Sequence, residues 1–115
     1  MSVPPSVQQL SPDVCVAGQL DRDGLAWAAR SGFRSVINNR PDHEGGPDQP
    51  TNATLQAAAR EHGLAYAFLP VASSIQTPEE IARFAELLAE LPRPILAFCR
   101  TGTRSGKLFR AATGG

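Results

Sequence analysis

Short apolar runs alternate with longer amphipathic segments along this chain of 115 residues. The runs are typical of strands and predict them at 7–10, 14–17, 35–38, 65–69 and 95–98. The turn Ser11-Pro12-Asp13 lies between the first two runs, so these are expected to pair as a hairpin. The later runs are separated by segments with helical spacing, which favours parallel pairing with right-handed crossovers.

Helix boundaries follow from capping residues. Asp21 is a candidate N-cap for the first helix, which Gly32 ends. Thr51 or Asn52 opens the second helix, and Gly63 ends it. These two helices connect predicted strands, as expected for an α/β domain.

The third helix carries the strongest local signal, the capping box Thr77-Pro78-Glu79-Glu80 with proline at the first helical position. A fourth helix is expected to begin at Ser105. Residues 39–50 form a polar loop rich in Gly and Pro, expected to be the least ordered part and able to cover a site. The whole pattern predicts a single α/β domain over residues 1–115, with a three-layer, mainly parallel sheet and an N-terminal hairpin.

Composition excludes several classes of function. Eleven basic and eleven acidic residues give a net charge of zero, which offers no general attraction to nucleic acid or to an anionic membrane. No apolar run approaches the length of a membrane span, and no secretory segment is visible at the N-terminus, so we expect a cytoplasmic protein. No cofactor is expected.

The main chemical signal is the loop that follows the last predicted strand. Cys99 ends the apolar run 95–98, and basic residues near a cysteine lower its pKa and make it nucleophilic. Gly102 lets successive backbone N–H groups converge on one point as an anion nest, and a helix beginning at Ser105 adds its positive end. Cys99 and Arg104 are the predicted catalytic residues. The predicted anion-binding residues are Arg100, Thr101, Gly102, Thr103, Ser105 and Arg40.

Other polar residues have two interpretations each. Arg40, after the strand 35–38, lies on the expected rim with Cys99, where it adds to the anion site or braces the loop together with Asp42. The run Asp42-His43-Glu44 contains metal-ligand types, but adjacent ligands on a loop match no usual spacing, so a solvated surface is favoured and no metal is predicted. Cys15 is either a small buried residue or a resolving cysteine for an oxidised Cys99.

The cysteine loop resembles two known families. The segment Cys99–Arg104 is similar to the active-site loop of rhodanese-type sulfurtransferases. It is also close to the Cys-x5-Arg loop of tyrosine and dual-specificity phosphatases, but it is one residue shorter, and Ser105 occupies the place of the phosphatase arginine.

A longer resemblance covers nearly the whole chain. Segments 16–20, 36–42, 69–71 and 98–105 together resemble the family called beta-lactamase hydrolase-like protein, phosphatase-like domain. The resemblance implies a dual-specificity-phosphatase-like fold with the shorter loop. It also implies sulfur transfer, in a protein that acts alone or is fused to a persulfide dioxygenase.

An absence in the sequence bears on the reaction. Phosphatases of the resembled fold take a general-acid aspartate from a loop that here reads Pro70-Val71-Ala72-Ser73-Ser74-Ile75-Gln76, without a carboxylate. Loss of a general acid reduces hydrolysis of alkyl phosphates by about 10²–10⁴-fold, whereas sulfur transfer needs no such acid. Asp42 replaces that acid only if its loop comes close to the cysteine.

Three hypotheses follow. The favoured one is a rhodanese-like sulfurtransferase that carries sulfane sulfur from thiosulfate or a persulfide to a thiol through a Cys99 persulfide. The alternative is a cysteine phosphatase acting on phosphate esters, and the third is a non-catalytic anion-binding module. Under each hypothesis the chain binds a small anion and binds neither nucleic acid nor a membrane.

Overall fold

The chain forms five strands and four helices in the computed structural model, which describes residues 6–114. The strands are β1 (Val7–Ser11), β2 (Val14–Ala17), β3 (Ser35–Asn38), β4 (Ala65–Phe68) and β5 (Ile95–Phe98). The helices are α1 (Arg22–Arg30), α2 (Asn52–Glu61), α3 (Pro78–Glu90) and α4 (Thr103–Thr113). Each predicted element is present. Residues 1–5 and 115 of the predicted domain lie outside the described residues.

The strands form one mixed sheet in the order β1-β2-β5-β3-β4. β1 pairs with β2 antiparallel, as the hairpin prediction requires, and all other pairs are parallel. β5 is therefore the central strand, with β2 on one side and β3 on the other. The residue that follows β5 lies at the middle of the sheet edge, where ligands bind in folds of this type.

Helices cover both faces of the sheet, which confirms the three-layer prediction. Alternate residues of β5 point to opposite faces. Leu96 and Phe98 pack in the core that also contains Leu25 of α1 and Leu55 of α2. Ile95 and Ala97 pack in the second core, whose helical residues are Phe84, Leu87 and Leu88 of α3 and Leu108 of α4.

The capping predictions are confirmed in detail. The Asp21 carboxylate accepts a hydrogen bond from the Gly24 N–H, and the Thr51 hydroxyl accepts one from Thr54. At α3 the Thr77 hydroxyl accepts from the Glu80 N–H while the Glu80 carboxylate accepts from the Thr77 N–H. Local sequence signals thus fix where three of these helices begin. No helix in the range 6–114 is long and apolar enough to cross a membrane.

The fourth helix differs from the prediction. α4 begins at Thr103 rather than at Ser105, because Gly102 serves as N-cap with φ +92 and turns the chain directly from the strand end into the helix. Few residues other than glycine adopt this conformation readily. Arg104 and Ser105 consequently lie in the first turn of a helix rather than in the loop before it.

Candidate active site

Cys99 lies at the carboxyl edge of the sheet, one residue beyond β5. Its backbone N–H donates to the Ala17 carbonyl at 3.3 Å, so the sheet ladder holds the residue in place. Its Sγ accepts a hydrogen bond from the Gly102 N–H at 3.1 Å, and the residue is 1% exposed. The loop therefore folds back over the sulfur.

The surroundings favour the thiolate form of Cys99. Burial by itself raises the pKa of this thiol, but backbone N–H groups of Ser105, Thr101 and Gly102 point toward the sulfur and together outweigh burial. The pKa is therefore lowered from its ordinary value. The first N–H groups of α4 have no intrahelical acceptor, which leaves them available for an anion.

A cavity of about 140 Å³ opens onto the sulfur. It is lined by Ser73, Cys99, Arg100, Thr101, Thr103, Arg104 and Lys107. Three of these residues carry positive charge and none is a carboxylate or a histidine. A cavity of this size and charge suits a small anion.

Arg104 lies deep beside this cavity, with 6% of its side chain exposed. Its Nη1 donates to the Val71 carbonyl at 3.0 Å and to Glu44 Oε2 at 3.1 Å, and its Nη2 donates to Glu44 Oε1 at 3.1 Å. Its Nε has no acceptor among the described residues. Arg104, predicted to be catalytic, thus keeps part of its donor capacity free.

Arg40 follows β3 and reaches the same region from the other side. Its Nε donates to Glu44 Oε1 at 2.9 Å and its Nη1 donates to Gln19 Oε1 at 3.0 Å. Arg40 lines a second cavity, of about 590 Å³, together with Glu44, Gly45, Ser73, Arg100 and Arg104. These contacts match the bracing interpretation of Arg40, and direct anion binding by Arg40 stays a prediction.

Glu44 is the residue that sequence analysis missed. In the sequence Glu44 stands only as the last residue of the polar run Asp42-His43-Glu44. In the structure its carboxylate forms ion pairs with both Arg40 and Arg104. Burial raises the pKa of Glu44, but hydrogen bonds from Arg104 and Arg40 outweigh this effect and lower it. The carboxylate is thus ionised near neutral pH. No local signal in the sequence pairs Glu44 with an arginine so far along the chain.

Ser105 and Asn39 form a second contact across the edge of the sheet. The Ser105 hydroxyl donates to Asn39 Oδ1 at 2.8 Å, and Asn39 Nδ2 donates to the Leu69 carbonyl at 3.0 Å. Both residues are fully buried. This chain of hydrogen bonds fastens the first turn of α4 to the end of β3 and so fixes the loop around Cys99.

Asp42, in the 39–50 loop, makes a structural contact. Asp42 Oδ1 accepts a hydrogen bond from the Asn52 N–H at 2.7 Å, which ties it to the start of α2. In this conformation it braces the loop and is not aimed at the sulfur. Within residues 6–114, no cluster of three His, Cys, Asp or Glu residues could hold a metal ion.

Cys15 is not positioned to resolve an oxidised Cys99 in this conformation. It pairs in register with Leu96, three residues before Cys99 on β5. Three residues of strand span about 10 Å, whereas a disulfide requires its Cα atoms to lie within about 7 Å. Burial raises the pKa of the Cys15 thiol. Its contacts match those of a partly buried core residue.

The fold defines a class, the α/β domains with the architecture of tyrosine and dual-specificity phosphatases. The chain belongs to the family described as beta-lactamase hydrolase-like protein, phosphatase-like domain, whose model matches residues 6–115. It is 39% identical over 103 residues to the beta-lactamase hydrolase-like protein of Xylella fastidiosa, covering 90% of this chain and 24% of that protein. The chain thus spans about a quarter of the length of the curated relatives it matches.

Solved structures support the fold assignment. A candidate phosphatase from Neisseria meningitidis superimposes with a TM-score of 0.81 at 28% identity, over 88% of this chain and 71% of that one. Pseudomonas aeruginosa TpbA in complex with phosphotyrosine superimposes with a TM-score of 0.68 at 18% identity, over 100% of this chain and 69% of that one. The chain therefore shares its architecture with these two proteins.

Proposed function

We propose that this chain is a cysteine-dependent sulfurtransferase that uses Cys99 as the nucleophile and a small anionic sulfur donor as substrate. One observation carries the proposal. The cavity at Cys99 is small and cationic, and Glu44, which lines the adjoining cavity, is ionised and held by two arginines. A thiolate that lacks a proton donor suits a reaction whose leaving group is already a stable anion.

The first step forms and breaks one S–S bond. The Cys99 thiolate attacks the outer sulfur of thiosulfate, a new S–S bond forms, and the bond to the sulfonate sulfur breaks with its electron pair. The products are a Cys99 persulfide anion and sulfite, so charge and atoms balance without a proton. Arg100, Arg104 and the N–H groups of the loop stabilise the negative charge that accumulates.

The second step regenerates the enzyme. An acceptor thiolate attacks the outer sulfur of the Cys99 persulfide, and the Cys99 thiolate leaves with the electron pair of the broken S–S bond. Two successive displacements give ping-pong kinetics. The same surroundings that lower the pKa of Cys99 make it a good leaving group in this step. A separate or fused persulfide dioxygenase stays a predicted partner.

A cysteine phosphatase is the second candidate, and the fold comparison favours it. The structure of TpbA holds phosphotyrosine, so a related fold accommodates a phosphorylated ligand. At this site Cys99 would attack phosphorus while Arg104 binds the phosphoryl oxygens. Without a general acid, hydrolysis would be confined to aryl phosphates, whose leaving groups depart as anions.

Two parallel assays separate these functions. The protein is incubated with thiosulfate and its intact mass is measured, while turnover of p-nitrophenyl phosphate is followed separately. Cys99→Ser removes the nucleophile, and Cys15→Ser is the matched control that retains it. We expect one added sulfur atom in wild type and Cys15→Ser and none in Cys99→Ser.

Other outcomes decide against the proposal. Robust Cys99-dependent phosphate turnover without persulfide formation would establish the phosphatase. If neither reaction occurs while inorganic sulfate still protects Cys99 from alkylation, the chain is the non-catalytic anion-binding module.

A further inference from the structure

The Glu44 carboxylate occupies both of its oxygens with arginine donors. Oε1 accepts from Arg40 Nε at 2.9 Å and from Arg104 Nη2 at 3.1 Å, and Oε2 accepts from Arg104 Nη1 at 3.1 Å. The Arg40 and Arg104 side chains are 10% and 6% exposed, and the Glu44 side chain is 28% exposed. This cluster of three charges is therefore better shielded from solvent than the ion pairs on the surface.

A count of the Arg104 donors shows what this contact leaves free. A guanidinium has five N–H groups in a fixed plane. Both Nη1 protons are used, by Glu44 and by the Val71 carbonyl, and one Nη2 proton is used by Glu44. The Nε proton and the second Nη2 proton have no acceptor in the described chain. These two donors lie on one edge of the plane, in the arrangement that binds two oxygens of an oxyanion.

The backbone before and after Glu44 adopts a demanding conformation. His43 has φ +67, and it is the one non-glycine residue with positive φ in the range 6–114. A Cβ at Gly45 would lie 2.6 Å from Arg40 Nη2, so a larger residue there would displace the Arg40 guanidinium. The Gln49 side chain closes the turn by accepting from the Gly45 N–H and donating to the Pro41 carbonyl. Strain of this kind accumulates at functional sites.

We propose that Glu44 is a positioning residue. It holds one side of the Arg104 guanidinium so that the opposite edge stays fixed for the oxyanion of the substrate bound at Cys99. Glu44 itself does not contact the substrate in this scheme. The inference rests on the proposed function only in requiring an oxyanion at Cys99, which sulfur transfer and phosphate hydrolysis share.

Glu44 has an opposite possible effect, which the experiment must separate. A carboxylate on Arg104 could compete with the substrate anion for the same guanidinium. Removing a competitor strengthens anion binding, whereas removing a positioning residue weakens it. The free edge of Arg104 favours positioning, because a competing anion would occupy the donors that the substrate needs.

The test measures sulfate binding without turnover. Inorganic sulfate is titrated into the full chain, and protection of Cys99 from iodoacetamide is followed by intact mass. Glu44→Ala is compared with Glu44→Gln, which keeps an acceptor oxygen but not the charge. Glu61→Ala is the matched control, since Glu61 is exposed and its ion pair with Arg22 is long, at 3.9 Å.

We expect Glu44→Ala to weaken sulfate protection on the order of 10- to 100-fold, as misplacement of a binding group does. Sulfate protection in Glu44→Gln should lie between that of wild type and that of Glu44→Ala, and protection in Glu61→Ala should match wild type. Added formate should restore part of the protection in Glu44→Ala, a rescue that a purely structural role would not allow. If Glu44→Ala does not fold, Glu44→Gln decides.

Tighter or unchanged sulfate protection in the Glu44 variants overturns the inference. Failure of the proposed function has a different signature. Sulfate would then protect Cys99 in wild type and less so in the Glu44 variants, but wild type would show neither persulfide formation nor phosphate turnover. If wild type turns over substrate and the Glu44 variants bind sulfate as wild type does, the inference alone is wrong.

Discussion

Cys15 lies in β2, and Cys99 lies one residue beyond the neighbouring strand β5. The pKa values of their thiols are nevertheless shifted in opposite directions. Burial raises the pKa of Cys15. Cys99 is more deeply buried and its pKa is lowered, because burial is outweighed by N–H groups of the loop. The difference is one of position. Within β2, backbone N–H groups are used by the ladder on both sides, whereas beyond β5 the chain is free to turn its N–H groups toward the sulfur.

The largest expected effect is a difference in alkylation between the two cysteines. At pH 7 iodoacetamide should modify Cys99 faster than Cys15, because the lowered pKa of Cys99 and the raised pKa of Cys15 leave Cys99 with the larger thiolate fraction. Peptide mass spectrometry of wild type, with Cys15→Ser and Cys99→Ser as single-site references, measures both rates. Equal rates would show that the loop does not activate Cys99.

The same pair should differ in the pH dependence of stability. A lowered pKa means that the Cys99 thiolate stabilises the fold fully above the ordinary thiol pKa. This contribution is lost as pH falls through the lowered value. A raised pKa gives Cys15 the reverse sign, with stability present below the ordinary value and lost as pH rises. The Tm difference between wild type and each Ser variant, followed from pH 6 to 11, checks both signs.

A smaller effect is expected from Gly102→Ala. The residue has φ +92, a conformation that residues with a Cβ rarely adopt, so alanine strains the backbone at the amide that bonds to Cys99. We expect Cys99 alkylation to slow several-fold and stability to fall by about 1–2 kcal/mol. Both are measured by alkylation rate and by urea denaturation.

Gly32→Ala is the matched control for this substitution. Gly32 has φ +97, and a Cβ there meets nothing within 4 Å. It should lose similar stability from backbone strain and leave the alkylation rate of Cys99 unchanged. An equal slowing in both variants would mean that strain, rather than the amide at position 102, controls the thiol.

The smallest effect on the reactivity of Cys99 is expected from Ser105→Ala. The substitution leaves the buried Asn39 oxygen without its donor, which costs about 1–3 kcal/mol, and shifts the first turn of α4 only slightly. Cys99 alkylation should slow about two- to threefold. Ser35→Ala also removes a buried hydrogen bond, to the Pro92 carbonyl at 2.6 Å, but far from the sulfur. A change of Cys99 reactivity in the Ser35 variant would contradict this interpretation.

Much of the fold could be predicted because its signals are local. Asp21, Thr51 and the Thr77 capping box begin their helices where expected, since an N-cap acts on N–H groups two or three residues away. The sequence predicts that α4 begins at Ser105, two residues later than its true start at Thr103. The reason is that the N-cap, Gly102, has no side chain and so gives no such signal. The cysteine loop could be predicted for the same reason, as its sulfur and its amides lie within a few residues.

The sequence by itself therefore determined the order of strands and helices along the chain and the loop whose N–H groups point toward Cys99, all of which depend on short-range hydrogen bonding and periodicity. Only the tertiary structure decided which polar groups complete the site. Glu44 meets Arg104 across 60 residues, and Asn39 meets Ser105 across 66. These partners are set by placing β3 beside β5 in the sheet, and ion pairs and side-chain hydrogen bonds between such distant residues leave no periodic trace in the chain.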